Sequence, residues 1–422
     1  MKGLPEKAID LDKKDPIRAF RKEFFIPKMA TGTDRIYLCG NSLGLQAKRT
    51  ADFIQQELED WKVLGVDGHF EARKPWMPYH EFLMKQMAEV VGGQPHEVVV
   101  MNSLTVNLHL LMVSFYRPTA DRYKIMIEKN AFPSDQYAVK SQLDYHGYDA
   151  EKGVIEVPPS DGLAYTKEED LLSFIERHGK ETALILLSGV NYYSGQAFPL
   201  QKIAEAGRKK GCVVGFDLAH AAGNIDCNLH QSGADFAAWC TYKYLNSGPG
   251  GMSGVFVHDR HARNFNLPRF AGWWGHDKTS RFKMPDTFKP EVGAEGWQLS
   301  NPPILAMAAL RASLSIFDEV GIKALRQKSM QLTSFFESCI QSIPTKRIEI
   351  ITPKKPVERG CQLSLRRKGA DKKIFGALTN MGVVSDWREP DVIRIAPVPL
   401  YNTYEEGVLF AEKLEKAVFV DN

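Results

Sequence analysis

The chain has 422 residues, a formal net charge of +3, 44% hydrophobic and 25% charged residues, and six cysteines. Such a composition excludes a disordered chain and predicts roughly two or three folded domains, and its nearly balanced charge argues against a nucleic-acid-binding surface. Since no apolar stretch reaches about 18 residues, no apolar leader follows Met1 and no C-x-x-C pair occurs, we expect a cytoplasmic protein with reduced thiols and no membrane partner.

Apolar runs alternate with helical patterns through most of the chain. A short strand at 36–38 leads into a glycine turn at 39–44 that could reach a ligand. Helical patterns follow at 51–63 and 79–91, the second closed by Gly92. Further strands are predicted at 98–101, 124–127, 183–187, 212–216, 236–239 and 254–257. The pattern predicts an α/β fold with a mostly parallel sheet that is covered on both faces.

The last quarter of the chain predicts a smaller α+β domain. An alanine- and leucine-rich helix at 304–320 leads into it, and a helix at 405–419 ends it. Its strands are predicted at 348–351, 362–365 and 392–396. We therefore divide the chain into a large domain at 50–310 and a small domain formed by 1–49 and 311–422.

Two strands of the large domain end in reactive polar residues. One is followed by Asp217, with His220 three positions later, and another by Tyr242 and Lys243. The carboxyl ends of strands in open α/β sheets are where ligands bind. A lysine beside a carboxylate meets the needs of pyridoxal phosphate, because the amine joins its aldehyde and the carboxylate keeps its pyridine nitrogen protonated. The pair predicts an enzyme that holds this cofactor.

Each of these residues also has a plainer interpretation. Asp217 could cap a helix, Lys243 could be a surface charge, and His220 could be a satisfied structural histidine. The aromatic residues around Lys243 and the glycine-rich run at 248–254 disfavour a solvated surface helix. That run breaks the G-x-G-x-x-G frame at Ser253, so we discard a Rossmann site.

The turn at 102–107 is a candidate phosphate site. A strand passes into a helix there, and free backbone N–H groups at a helix N-terminus bind anions. A plain N-cap at Ser103 or Thr105 explains the segment equally well when it is taken alone. We expect no metal, because the eleven histidines show neither H-E-x-x-H nor a close Cys/His cluster.

Five motifs together resemble the kynureninase family, and the resemblance runs from Leu38 to Tyr401. Asp-x-x-His and a strand-end lysine also occur in other fold-type I enzymes, whereas the Tyr-Lys-Tyr-Leu-Asn and Ser-Asn-Pro-Pro blocks are more specific. The motifs lie at Asp217–His220, Tyr242–Asn246, Gly272–His276, Leu299–Pro303 and Val392–Tyr401.

The resemblance implies a fold, a cofactor and a reaction. The fold is fold type I of the aspartate aminotransferase superfamily, with a mostly parallel, seven-stranded type of sheet in the large domain. The cofactor is pyridoxal 5′-phosphate. The reaction is hydrolysis of the Cβ–Cγ bond of L-kynurenine or L-3-hydroxykynurenine to anthranilate or 3-hydroxyanthranilate and L-alanine, in tryptophan catabolism or NAD biosynthesis.

It also implies roles for individual residues. Lys243 binds the cofactor aldehyde, Asp217 meets the pyridine nitrogen, His220 supports Asp217, Tyr242 relays protons and Arg394 grips the substrate α-carboxylate. Further cofactor contacts are implied at Leu104, Thr105, Phe132, Pro133, Ser134, Asp135 and Ser188, with Phe132 stacked on the ring.

The family is homodimeric, which implies that Trp273 and Asn301 reach the cofactor from the partner subunit. Trp273 could instead be a core aromatic residue. Substrate contacts are implied at Ser42, His69, Asn301 and Arg394. Members that favour 3-hydroxykynurenine resemble this chain at His69 and Asn301, although His69 could be a loop residue and Asn301 a cofactor contact alone.

The strongest rivals are a class V aminotransferase and a cysteine desulfurase. A desulfurase needs a cysteine on a mobile loop, and we expect Cys361 to be the exposed one of the six. A binding protein without a cofactor is a rival of another class, and it predicts a colourless preparation.

Overall fold

The computed structural model describes residues 3–367 and 372–419. The helices are α1 (Leu4–Lys14), α2 (Thr50–Leu64), α3 (Gly68–Glu71), α4 (Glu81–Val91), α5 (Leu104–Phe115), α6 (Pro133–Tyr145), α7 (Ala150–Gly153), α8 (Glu168–His178), α9 (Leu200–Lys209), α10 (Leu229–Ser232), α11 (Ile304–Val320), α12 (Ile322–Gln341), α13 (Lys373–Asn380) and α14 (Tyr404–Phe419). Within these ranges no helix is both long enough and apolar enough to cross a membrane.

The strands form three sheets. They are β1 (Ile36–Tyr37), β2 (Val98–Met101), β3 (Lys124–Glu128), β4 (Val154–Val157), β5 (Thr182–Ser188), β6 (Val213–Asp217), β7 (Phe236–Cys240), β8 (Ser253–Val257), β9 (Glu349–Ile350), β10 (Leu363–Arg366), β11 (Val383–Val384), β12 (Asp386–Arg388) and β13 (Val392–Ile395).

The large sheet has seven strands in the order β2-β8-β7-β6-β5-β3-β4. Strand β8 runs antiparallel to both of its neighbours, and the other pairs are parallel. Alternate residues of β5 enter two different apolar clusters, Ile185 and Leu187 on one face and Leu184 and Leu186 on the other. This confirms the predicted α/β fold with a covered, mostly parallel sheet.

Strand β4 was absent from the predicted elements, and its burial explains why. Val154 and Ile155 are only partly buried and Glu156 is exposed at the edge of the sheet, so the strand lacks the uninterrupted apolar run of its neighbours. The six predicted strands of the large sheet are confirmed, and Gly92 ends α4 in the left-handed conformation, with φ of 69°.

The second core belongs to an antiparallel sheet of order β12-β13-β10-β9 that α12, α13 and α14 cover. Ala8, Ile36 and Leu38 join this core, and α1 packs on α14. The first segment of the chain therefore packs with the last. The division at residues 50 and 310 stays a prediction, and its residues 1–2, 368–371 and 420–422 lie outside the described ranges.

The topology brings three strand ends together. Strands β5, β6 and β7 are neighbours and parallel, and Ser188 of β5 lies beside Asp217 of β6 in the register. The face of the small sheet opposite its apolar core carries Ser364, Asp386 and Arg394 in one cross-strand row. Polar groups from both domains therefore meet at one edge of the large sheet.

Candidate active site

A cavity of about 410 Å³ lies at these strand ends. It is lined by most of the residues that the sequence predicted for the site, namely Ser42, Leu104, Thr105, Phe132, Ser134, Asp135, Ser188, Asp217, His220, Tyr242, Lys243 and Arg394. A larger open groove, of about 1010 Å³, lies between α1 and α14 and contains none of these residues.

Four predicted residues do not line this cavity. Pro133 is the first residue of α6, next to Phe132. The Nδ1 atom of His69 lies 2.9 Å from the carbonyl oxygen of Val66. Trp273 is 40% exposed, and Asn301 is also exposed. One chain by itself does not bring His69, Trp273 or Asn301 to the site.

Lys243 is partly buried and lies beside an imidazole and an aromatic ring. Its Nζ is 3.0 Å from Nε2 of His220 and 5.9 Å from the centre of the Phe132 ring. Burial, reinforced by the positive charge of Lys243, lowers the pKa of His220 well below its ordinary value, so the imidazole is neutral and accepts a hydrogen bond from the ammonium.

The expected support of Asp217 by His220 is not seen as a hydrogen bond among the described residues. Asp217 instead accepts a hydrogen bond of 2.6 Å from the backbone N–H of Ala219. Burial also leaves Nδ1 of His220 without a hydrogen-bond partner in the described part of the chain. Such an orphaned donor is costly in a protein interior, which indicates that the imidazole faces a group that is bound during function.

Three buried carboxyl groups surround Lys243 on the side of the large domain. They are Glu128, Asp135 and Asp217. Burial raises the pKa of each, and the neighbouring Asp217 and Glu128 charges raise the pKa of Asp135 further. The Asp135 carboxyl therefore keeps its proton and donates a hydrogen bond to Asp217, because three negative charges cannot be placed together out of water.

Sequence reasoning missed Glu128. Its two carboxylate oxygens accept hydrogen bonds from the Oγ–H and the backbone N–H of Ser188. Glu128 ends β3 as Asp217 ends β6, so the rule that found Asp217 could have found it. Glu128 directly follows the predicted strand at 124–127, just as Asp217 directly follows the predicted strand at 212–216.

The N-terminus of α5 opens into the same cavity. Ser103 occupies the N-cap position with φ of −116°, but its side chain makes no capping hydrogen bond. The Oγ1 atom of Thr105 lies 2.7 Å from Oγ of Ser134. The first N–H groups of α5 thus remain available to an anion, and the plain N-cap interpretation is not supported.

The cavity has the donors and acceptors that pyridoxal phosphate requires. An open helix N-terminus suits its phosphate, Lys243 suits its aldehyde, and the buried carboxylate of Asp217 suits a protonated ring nitrogen. Burial raises the pKa of Tyr242, so its phenol stays protonated at neutral pH. The residues present therefore fit this cofactor.

The opposite wall of the cavity is cationic. Arg394 donates from Nη2 to Oδ2 of Asp386 at 2.6 Å and from Nη1 to the carbonyl oxygen of Tyr192 at 2.7 Å. Ser42 donates to the same Asp386 oxygen at 2.6 Å, and Arg388 donates to it at 3.1 Å. Sequence reasoning missed Arg388, Asp386 and Tyr192.

A glycine fixes the backbone beside the lysine. The N–H of Gly44 donates to the carbonyl oxygen of Tyr242 at 2.8 Å. A Cβ atom on Gly44 would lie 2.2 Å from Oδ1 of Asn246 and 2.3 Å from the carbonyl oxygen of Lys243, which leaves no room for a side chain. The predicted glycine turn therefore packs directly on the segment that carries Lys243.

The prediction that Cys361 is exposed is wrong. Its side chain is fully buried, and burial raises the pKa of its thiol to about 12. All six cysteines are free and lie within the described ranges, where Cys39 alone is partly exposed. Burial raises the pKa of the Cys39 thiol to about 11, so neither thiol has the character of a nucleophile.

A group that could hold a metal lies elsewhere, at Glu97, His230 and His258. Both ring nitrogens of His230 already have hydrogen-bond partners. Its Nδ1 is 2.9 Å from the Glu97 carboxylate, and its Nε2 is 3.1 Å from the Gln94 amide. The expectation that no metal binds stays a prediction.

Comparison with solved structures identifies the fold. An apo cysteine desulfurase from Thermococcus onnurineus NA1 matches 94% of this chain and 97% of its own with a TM-score of 0.76 at 16% identity. A C-DES mutant with glycine covalently linked to its pyridoxal phosphate cofactor matches 93% of this chain and 98% of its own with a TM-score of 0.77 at 17% identity. The chain has the fold of these fold-type I enzymes.

Sequence comparison is more specific. Residues 325–414 match the kynureninase C-terminal domain. Kynureninases of Koribacter versatilis and Myxococcus xanthus are 55% and 54% identical to this chain, with 96% of the chain covered and 96% and 95% of theirs. The kynureninase of Nematostella vectensis is 48% identical, with 96% and 92% covered. Identity at this level over nearly the whole length places the chain in the kynureninase family.

Proposed function

We propose that the chain is a pyridoxal 5′-phosphate-dependent hydrolase that cleaves the Cβ–Cγ bond of L-kynurenine or L-3-hydroxykynurenine to anthranilate or 3-hydroxyanthranilate and L-alanine. Family membership supports the reaction. The observation that carries the proposal is the meeting of Lys243, Asp217 and Arg394 in one cavity. These groups suit a cofactor aldehyde, a ring nitrogen and a substrate carboxylate.

When bound, the cofactor supplies an electron sink for the negative charge that develops on the substrate. The Asp217 carboxylate, buried at the end of β6, holds the positive charge of the ring nitrogen. The ammonium of Lys243 is paired with a neutral imidazole rather than with a carboxylate. Lys243 lies in the same cavity as Asp217 and Arg394 and is the proposed base for the substrate α-proton.

Tyr242 is the proposed proton donor. Its raised pKa keeps the phenol protonated, so it can deliver a proton to the carbon that becomes the methyl group of alanine. Arg394 orients the substrate through its α-carboxylate, and Ser42 lies beside it on the same Asp386 oxygen. We assign Leu104, Thr105 and Ser134 to the phosphate, because Leu104 and Thr105 begin α5 and Ser134, in the first turn of α6, lies 2.7 Å from Thr105.

We further propose that the enzyme acts as a cytoplasmic homodimer whose two sites each use residues of both subunits. Support comes from the exposed positions of His69, Trp273 and Asn301 outside the cavity of their own chain. Further support comes from a run of exposed apolar side chains near Trp273, namely Phe270, Phe282 and Met284, since such surfaces mark protein contacts.

The test is direct assay of the purified, cofactor-loaded protein with both substrates. We expect release of the matching anthranilate together with an equal amount of L-alanine. Lys243→Ala should lose turnover and the visible absorption of the bound cofactor, while its thermal unfolding stays close to wild type. Loss of the substrate amino group to a keto acid, with no L-alanine formed, would instead identify an aminotransferase.

A further inference from the structure

Arg388 is a guanidinium without an assigned role on the wall of the cavity. It lies two residues after Asp386 on β12, so both side chains point to the same face of the small sheet. Arg394 lies directly across from Asp386 on β13. The strand register thus places two arginines and one aspartate together, facing the large domain, and all three belong to one hydrogen-bonded group.

The two arginines differ in the number of hydrogen-bond acceptors that they contact. Arg394 already gives Nη1 to Tyr192 and Nη2 to Asp386. Arg388 gives Nη2 to Asp386, which is its one acceptor among the described residues. The Nε atoms of both arginines are buried without a partner in the described part of the chain. Buried N–H donors are normally paired, so these two indicate an acceptor that is supplied from the cavity.

The charges indicate what that acceptor is. Two guanidiniums face one carboxylate, so this wall carries one positive charge in excess, and burial together with Arg394 lowers the pKa of Arg388. The opposite wall holds the Asp217 carboxylate, so an anionic group is better placed on the cationic wall. A substrate with one carboxylate balances the cationic wall and offers two acceptor oxygens.

We propose that Arg388 is a second substrate-binding arginine, which shares the α-carboxylate of the amino-acid substrate with Arg394. Arg394 supplies the better-buried guanidinium, and Arg388, whose side chain is 36% exposed, closes over the carboxylate from the solvent side. This inference rests on the proposed function, because it assumes that an α-amino acid occupies the cavity.

The test compares two ligands that carry different parts of the substrate. L-Alanine has the α-carboxylate without the ring, and anthranilate has the ring without the α-carboxylate. Their Kd values are measured on the cofactor-loaded enzyme, L-alanine from the change in cofactor absorption and anthranilate by competition. For Arg388→Gln we expect the Kd of L-alanine to rise about tenfold, as for loss of a charge-assisted hydrogen bond, and that of anthranilate to stay within about twofold.

Two further variants make the comparison specific. Arg388→Lys keeps the charge and loses the planar fork, so the Kd of L-alanine should rise about threefold. It also serves if Arg388→Gln fails to load cofactor. Arg366→Gln is the matched control, because Arg366 flanks the same residue, Val392, from β10 but pairs with Glu349 and does not line the cavity. It should leave both Kd values unchanged within about twofold.

The outcomes separate this inference from the proposed function. Equal weakening of both ligands by Arg388→Gln, of neither, or of anthranilate alone overturns the role of Arg388. Wild-type enzyme that does not cleave kynurenine, while Arg388→Gln still weakens L-alanine selectively, refutes the proposed function and supports the inference. Normal cleavage with an unchanged L-alanine Kd refutes the inference alone.

Discussion

The Nζ atom of Lys243 lies 3.0 Å from Nε2 of His220, and the imidazole is the acceptor in this pair. The Lys243 amine therefore has a neutral partner, not a carboxylate, at hydrogen-bond distance. The nearby carboxyl groups accept hydrogen bonds from other groups: Asp217 from the N–H of Ala219, and Glu128 from the N–H of Ser188. Burial lowers the pKa of His220 and raises that of Asp135, so the two residues change the free energy of unfolding in opposite directions as the pH rises.

His220→Gln should make the cofactor-free protein less sensitive to acid. Burial holds the pKa of His220 below its ordinary value of 6.5. Below about pH 6.5 the unfolded chain therefore binds a proton at this residue and the folded chain does not, so the free energy of unfolding falls as the pH drops. Glutamine does not titrate. The free energy of unfolding is measured in urea at pH 5 and pH 8 for both proteins. We expect the difference between variant and wild type to be about 1–2 kcal/mol more favourable to the variant at pH 5 than at pH 8. An equal difference at both pH values would contradict this.

Asp135→Asn should act at the other end of the pH range. The pKa of Asp135 is higher in the folded protein than its value of 3.8 in the unfolded chain. The protonated carboxyl therefore contributes to the free energy of unfolding in full below pH 3.8, and this contribution is lost as the pH rises through the pKa of the folded protein. Asparagine can still donate to Asp217 but cannot ionise. In the same unfolding experiment, the free energy of unfolding of the variant relative to wild type should be at least about 1 kcal/mol higher at pH 8 than at pH 5. If the gain appears at pH 5 instead, Asp135 is not the protonated partner.

Arg394→Lys should raise KM for kynurenine at least about tenfold although the charge is kept. A lysine has one nitrogen, which cannot replace the separate bonds to Asp386 and Tyr192 and still meet a carboxylate. The kcat value should fall less than KM rises, because Arg394 binds the substrate and takes no part in the proton transfers. The comparison is steady-state kinetics on both proteins, and an unchanged KM would remove Arg394 from the substrate site.

Mixing two inactive variants should restore activity if each site draws on both subunits. A hybrid of Lys243→Ala with Asn301→Ala has one site with an intact lysine and an intact partner asparagine. Random pairing makes half of the dimers hybrids, so about one quarter of wild-type activity should return after the subunits are unfolded together and refolded. If Asn301 serves the site of its own chain, every hybrid site is defective and activity stays at the level of the separate variants.

His69→Trp combined with Asn301→Thr should shift preference away from 3-hydroxykynurenine. Both native side chains can bond a ring hydroxyl, and one such bond is worth about 1 kcal/mol, or about five- to tenfold in kcat/KM. The measurement is kcat/KM for both substrates on wild type and on the double variant. A wild type that prefers plain kynurenine, or an unchanged ratio in the variant, contradicts the assignment of these residues.

The residues at the ends of strands in the large sheet can be predicted from sequence because the polar residue directly follows an apolar run. Asp217 directly follows the run at 212–216, Glu128 follows the run at 124–127 in the same way, and Lys243 comes three residues after β7. The topology then brings these ends together, since neighbouring parallel strands finish at one edge.

The cationic wall could not be predicted as a group. Asp386 and Arg388 lie on a three-residue strand in which every residue is only partly buried. Such a strand has no run of apolar residues by which the sequence could reveal it. Tyr192 contributes a backbone carbonyl, which no residue type reveals. The positions of His69, Trp273 and Asn301 depend on a second subunit, so the pattern of one chain suggests their residue types but not their contacts.

The hydrogen bond between Ser42 and Asp386 bears on how the protein folds while it is made on the ribosome. The site joins residues that are far apart in sequence, since Ser42 and Asp386 are 344 positions apart. The seven-stranded sheet can form before translation ends, but its catalytic edge stays incomplete until β13 has emerged. A chain released early would therefore keep its lysine and lack Arg394, so a nascent fragment that already has the machinery for the cofactor cannot yet fix an amino acid in place.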